Sequence, residues 1–230
     1  IQGGYVAHLA PATYTITEPI VIHVTSTIQG ALGLDGGGAT FVSQVASGQP
    51  VIQIVVEPGV DLRYLTLSNF TIQGNGQEGD GISIVAPSNE SWVYSWTVSD
   101  VTVAGVGGHG LDIEGSVFEG TICDSWMIGN GEGGARFAHS PEGGAASALR
   151  WLGGGFEDNG GPGLLLDNGA RDISVEGATF SHNQGAGISA EWGITSVRAS
   201  DFVDNQGAGI WFQNFGGFND NDFSSSGAQT

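Results

Sequence analysis

The chain of 230 residues has no lysine, one cysteine and one methionine, and it carries five arginines against 24 acidic residues for a formal net charge of −19. Nucleic-acid binding needs a basic footprint, which is missing, so a nucleic-acid partner is excluded. An anionic membrane surface is excluded on the same ground. The lone Cys123 rules out an internal disulfide framework. No apolar run approaches the ~20 residues of a membrane span, and no amphipathic helical stretch of useful length occurs. No signal peptide is present and the chain opens on Ile1-Gln2, which reads as a processed or excerpted segment.

Glycine is what the chain has in abundance: 41 residues, about two and a half times the usual share of ~7%. There is no every-third-residue pattern, so collagen is excluded. The glycines separate short runs rich in Val, Ile, Thr, Phe and Trp, the composition of short strands joined by tight turns. One pattern recurs: an apolar residue, two more residues, Asn, a spacer, then Gly and an apolar strand. Its clearest copies are Phe156 to Asn159 before Gly163, Phe180 to Asn183 before Gly187, and Phe202 to Asn205 before Gly209. Weaker copies run from Met127 to Asn130 before Gly134, from Val103 before Gly110, and from Ile72 to Asn75 before Gly81. The glycines from Gly81 to Gly209 are therefore 29, 24, 29, 24 and 22 residues apart.

A unit of that size cannot bury an apolar face alone, and stacking copies makes a continuous core. The leucine pattern of leucine-rich repeats and the calcium-binding nonapeptide are both absent. The expected fold class is all-β: a right-handed parallel β-helix with coils of about 22–29 residues, one domain over residues 1–230. Asn75, Asn130, Asn159, Asn183 and Asn205 are expected to stack as a ladder of side-chain amides at one turn. Bare β-helix ends are open sheet edges and invite end-to-end or lateral self-association.

After each anchor glycine, the residues one and three places on are apolar, as in Ile82/Ile84, Leu111/Ile113 and Leu164/Leu166. A strand sends alternate side chains to opposite faces, so these point inward. The residues two places on form one outward column: Ser83, Asp112, Arg136, Leu165, Ser189 and Trp211. Those four places on form another: Val85, Glu114, Ala138, Asp167, Glu191 and Gln213. His109 and His139 lie at the edges of this face.

The segment from Gly3 to Ile16, which contains Pro11-Ala-Thr-Tyr14, with Ile28-Gln-Gly30 after it, resembles the opening of the pectate-lyase-like superfamily of β-helix proteins. There a Pro-Gly-Thr-Tyr commonly enters the first coil; here Ala12 replaces that glycine. The resemblance implies the fold, a secreted protein and a carbohydrate polymer as substrate. Members include lyases, glycoside hydrolases, uronan epimerases, phage tailspikes and adhesins, so fold does not decide function. Gly108-His109-Gly110 matches the Gly-His-Gly of polygalacturonases, but their paired aspartates and Arg-Ile-Lys are missing. Gly110-Leu-Asp112-Ile-Glu114 is similar to the Gly-Phe-Asp-Pro-His of mannuronan epimerases, with Asp112 matching their aspartate and Glu114 replacing their histidine.

The outward face supplies the candidate site. Glu114 and Asp167 share a column two turns apart, roughly 9.6 Å at 4.8 Å per turn, near the ~6.5–9.5 Å of an inverting glycosidase. Asp167 and Glu191 are one turn apart, roughly 4.8 Å, closer to the retaining spacing. Arg136 stands beside Asp112, where it can orient a carboxylate or bind a substrate oxygen. His109 or His139 is placed to move protons near neutral pH. Asp112, Glu114, Arg136, Asp167 and His109 are thus the candidate catalytic residues. The two 29-residue coils hold extra residues between Ala86 and Trp96 and between His139 and Ser147, expected to wall a groove over Asp112 and Glu114. Their Trp92, Tyr94 and His139, with Glu191, Trp192 and Trp211, are the candidate substrate-binding residues, since aromatic rings offer sugars a flat apolar surface. No metal-ligand set is assigned; the acidity offers carboxylates to a hard cation such as Ca²⁺. The expected partner is a polysaccharide or oligosaccharide, neutral or, if a uronan, bridged by Ca²⁺, since a charge of −19 repels polyanions. The expected function is that of a secreted polysaccharide-processing enzyme, of glycoside hydrolase, lyase or epimerase type, acting on a glycan bound along this outward face; the alternative is a non-catalytic β-helix for adhesion, glycan binding or assembly.

Overall fold

The computed structural model describes residues 4–167, 169–191, 193–212 and 215–219. Every element among them is a strand. Each coil contributes one strand to an eight-stranded parallel sheet in chain order. These strands are β1 (Ile20–Val24), β2 (Ile52–Val56), β3 (Ile82–Ala86), β4 (His109–Gly115), β5 (Gly133–Ala138), β6 (Leu164–Leu166), β7 (Ile188–Ala190) and β8 (Ile210–Phe212). The other strands join into a single seventeen-stranded sheet that wraps the remaining faces. The chain is therefore the right-handed parallel β-helix that its repeat implied.

The register keeps the anchor glycines aligned: Ile82 pairs with Leu111, Leu111 with Ala135, Ala135 with Leu164, Leu164 with Ile188, and Ile188 with Ile210. Ile20 pairs with Ile52 and Ile52 with Ile82, so the first two coils are 32 and 30 residues long, longer than the repeat suggested. No anchor glycine marks them, which is why the period could not be read there.

The strand alternation places the inward set in the core. Ile82, Ile84, Leu111, Ile113, Ala135, Phe137, Leu164, Leu166, Ile188 and Ala190 are all fully buried. Stacked coils bring identical residues into contact at the strand spacing. Phe156 and Phe180 have ring centroids 4.7 Å apart, and Phe180 and Phe202 4.8 Å apart with planes within 3°. Trp151 packs on the end of this stack, 4.3 Å from Phe156.

Corners need residues that tolerate positive φ. Leu65–Gln73 and Thr97–Ala104 bend at Asn69 (φ 58°) and Asp100 (φ 52°), so each continuous strand serves two faces. Asn and Asp occupy this left-handed region more readily than other side chains because their short polar groups bond locally.

The asparagine ladder runs from Asn130 to Asn205. Asn130 Nδ2 donates to Asn159 Oδ1 (3.1 Å), Asn159 Nδ2 to Asn183 Oδ1 (2.8 Å), and Asn183 Nδ2 to Asn205 Oδ1 (2.8 Å). Each Oδ1 also accepts the backbone N–H of the asparagine one coil earlier, and each Nδ2 reaches a backbone carbonyl inside the turn. Asn75 does not belong to the ladder. Val106 occupies the intervening coil, and it has no amide to pass the chain on; its N–H ends the ladder on Asn130 Oδ1 (3.2 Å). Asn75 instead forms a local turn, its Oδ1 accepting the Gln77 N–H while the buried Glu78 carboxylate accepts its own N–H.

Candidate functional site

The site is built on the outward face of β3 to β6. Asp112 sits mid-strand in β4, paired across the sheet with Ser83 on one side and Arg136 on the other. Arg136 Nη1 donates to Asp112 Oδ1 at 3.2 Å. The same guanidinium places Nε 3.7 Å from Asp167 Oδ2, one coil further on. One arginine therefore holds two carboxylates from coils on either side of it. Their surroundings differ: the Asp112 side chain is 8% exposed and that of Asp167 43%.

That difference sets the chemistry. Burial, reinforced by the negative charge of Asp80, pushes the Asp112 carboxyl up to about 6, although Arg136 and His109 pull the other way. A carboxyl in that range keeps its proton to near neutral pH and can give it up to a leaving group. Glu114, two places along β4, is part-exposed and adds to the raising charge.

His109 opens β4 and is nearly buried. Its backbone N–H donates to Asp80 Oδ1 (2.8 Å), and its ring Nδ1 lies 3.5 Å from both Asp80 Oδ1 and Glu132 Oε2. The ring lies across the backbone of Gly133: a Cβ there would stand 3.2 Å from the ring's Cδ2. Asp80 and Glu132 were not singled out from the sequence. Asp80 occupies the place immediately before the anchor glycine Gly81, as His109 does before Gly110, so reading one column further back would have found it. With Glu78 these acids line an open cleft of about 560 Å³ at the start of the strands.

The rest of the expected site is only partly brought together. Glu191 is part-exposed, its N–H bonded to Leu166 O, and so continues the column of Asp167. Trp211 is 42% exposed and pairs with Ser189 on the same face, three coils beyond Arg136. Trp192 and Gln213 lie outside the described residues. The aromatic segment does not wall the carboxylates. Trp92–Tyr94 is a strand of the adjoining face, paired with Asp61–Arg63 and Val117–Phe118, because its alternating pattern buries Val93 in the core. Tyr94 faces outward there, 5.4 Å from Phe118, with the Arg63 guanidinium 5.3 Å over its ring. Trp92 and His139 line a corner pocket just past the ends of β4 to β6. Trp96 is fully buried, packed on Gly120.

Among the described residues no three His, Cys, Asp or Glu side chains converge as a metal-ligand set.

A family model described as a right handed beta helix region matches residues 53–228. ORF18 of Geobacillus virus E2 superposes with a TM-score of 0.64 at 18% identity, over 96% of this chain and 52% of that one. The chain thus spans about half the length of that viral protein. The A-module of the mannuronan C-5 epimerase AlgE6 of Azotobacter vinelandii gives a TM-score of 0.48 at 15% identity, over 93% of this chain and 72% of that one. The catalytic unit of a GH87 α-1,3-glucanase from Streptomyces thermodiastaticus strain HF3-3 gives 0.30 at 13% identity, over 98% and 64%. At these identities the likeness is one of fold. No curated protein matches the chain.

Proposed function

We propose, from the premise that this chain belongs to the right-handed β-helix family, that its β3–β6 face cleaves a glycan by acid–base hydrolysis, with Asp112 as general acid and Asp167 as the partner carboxylate. The observation that carries this reading is the single guanidinium of Arg136 holding one buried and one exposed carboxylate from coils on either side of it. Two carboxylates whose environments differ in this way can divide the work: the buried, proton-retaining one protonates the glycosidic oxygen, while the exposed one activates water or attacks the anomeric carbon. Arg136 keeps both oriented and neutralises charge as the bond breaks. His109, tied to Asp80 and Glu132, is the second proton carrier beside Asp112. Glu114 and Glu191 extend the polar floor along which neighbouring sugar units would lie, and Trp211 offers them an exposed ring. Such a protein works outside the cell, and no helix among the described residues is long and apolar enough to cross a membrane.

The second reading, a glycan-binding module, draws support from the exposed Trp211 on an open face. An activity screen on a polysaccharide panel separates the two. Hydrolysis predicts new reducing ends with the native chain and a loss of at least about a hundredfold with Asp112→Asn or Asp167→Asn, the scale of a lost general acid or base. Full activity in both variants on a confirmed substrate would remove the site; binding without new reducing ends would leave the module.

A further inference from the structure

The repeat departs from regularity in the two 29-residue coils, and their extra residues meet. Ser140 Oγ donates to Pro87 O (2.6 Å), and Ser116 Oγ to Ser88 O (3.2 Å). Gly143 lies so close to Asn89 that a Cβ would stand 2.4 Å from its amide nitrogen. The two insertions are thus locked together at one corner, immediately beyond Glu114 in β4 and Ala138 in β5. The pocket they enclose, about 360 Å³, is lined by Asn89, Trp92, Ser116, Phe118, His139 and Arg171 together with small residues.

Its composition is unlike that of the chain. The whole sequence has 24 acids and five arginines, yet the described residues that line this pocket include an arginine and a histidine and no acid. The cleft at the opposite end of the same strands is lined by Glu78, Asp80 and Glu132. Two aromatic rings complete the pocket. Trp92 and Phe118 are each held against the ring of Tyr94, at 6.1 and 5.4 Å, so their orientation is fixed by packing rather than by a ligand. The His139 side chain rests on the backbone of Gly169, where a Cβ would stand 3.1 Å from the His139 Cβ and 3.2 Å from its ring Cδ2.

We propose that this corner pocket binds a pyranose ring carrying an anionic substituent, the ring against Trp92 and Phe118 and the anion against Arg171 and His139. Aromatic faces match the apolar face of a sugar, and a guanidinium offers a fork of donors that fits a carboxylate or a sulfate ester. A local positive site also gives an acidic glycan somewhere to land on a chain that otherwise repels it. This goes beyond the hydrolytic reading, because the pocket uses none of the carboxylates on the face.

The test is binding of methyl β-glucuronide, the 6-sulfate of methyl β-glucoside, methyl β-glucoside itself and sodium acetate, followed by ligand-observed NMR and calorimetry on the full chain. The expected result is that the glucuronide, the sulfate or both bind at least about tenfold more tightly than the glucoside, the scale of one charge-assisted contact. Arg171→Gln should erase that preference, and Trp92→Ala should weaken binding about tenfold or more, with melting unchanged in Arg171→Gln. Which anion binds better identifies the source as a uronate or a sulfated sugar. Equal binding of the glucoside, no binding of any sugar, displacement by acetate at equal concentration, or unchanged affinity in both variants would each overturn the proposal. Asp112→Asn separates the two readings: it should stop hydrolysis and leave pocket affinity intact. Anion-dependent binding with no turnover on any glycan sinks only the hydrolytic reading, while turnover with no such binding sinks only the pocket.

Discussion

Replacing Asn159 by alanine removes the centre of the ladder. The side chain is fully buried and makes four hydrogen bonds: its Oδ1 accepts the backbone N–H and Nδ2 of Asn130, and its Nδ2 donates to Met127 O and Asn183 Oδ1. Part of the loss is cushioned. Asn130 Nδ2 keeps Val103 O, and Asn183 Oδ1 keeps the Asn159 N–H. The Asn130 N–H, in contrast, loses its side-chain acceptor at zero exposure. Four bonds at about 0.5–1.5 kcal/mol each, with one buried donor stranded, give a loss of about 4 kcal/mol. For a chain of this length that is about 8–16 °C in melting temperature. Thermal melting followed by circular dichroism measures it directly. Asn75→Ala is the internal control: its side chain is exposed, with one local bond to the Gln77 N–H and one long bond to Ser43 O (3.4 Å), and its loss should cost less than about 1 kcal/mol. Equal melting of the two variants, or a fall of less than about 2 °C for Asn159→Ala, would refute the argument that the ladder holds the coils in register.

Asp112 should make stability fall as pH rises. Folded, it holds its proton to about 6, while unfolded it releases it near 3.8, so between those values the folded state binds more protons. The difference in unfolding free energy between native chain and Asp112→Asn should therefore drop by about 2 kcal/mol from pH 4 to 6.5 and level off above about pH 7; a flat difference in urea titrations would disprove the raised carboxyl. Phe180→Ala opens the middle of the phenylalanine stack and should cost about 3–5 kcal/mol in urea unfolding, with a loss below about 1 kcal/mol excluding the stack as a core element. In the glycan assay, Arg136→Gln should lower turnover about as much as Asp167→Asn; activity unaffected by it would show that neither carboxylate needs its guanidinium.

The sequence alone determined the solenoid. Repeated glycines at nearly constant spacing, alternating apolar residues after each and an asparagine at one turn are local regularities, and stacking converts each into a column. The inward and outward sets of β3 to β8, the ladder from Asn130 to Asn205 and the placement of Arg136 beside Asp112 follow from counting. Counting failed where the repeat was broken. The longer first coils carry no anchor glycine, Asn75 faces a valine one coil on, and the extra residues of the two long coils obey no period. Their paths are set by contacts distant in sequence, such as Ser140 on Pro87, 53 residues earlier. Only the folded chain decided that Trp92 lines a corner instead of roofing the carboxylates, that Asp80 sits against His109, and that Asp112 is buried while Asp167 is not. Alternation says which way a side chain points; what covers it, and therefore how it titrates, depends on neighbours that only the tertiary structure brings together.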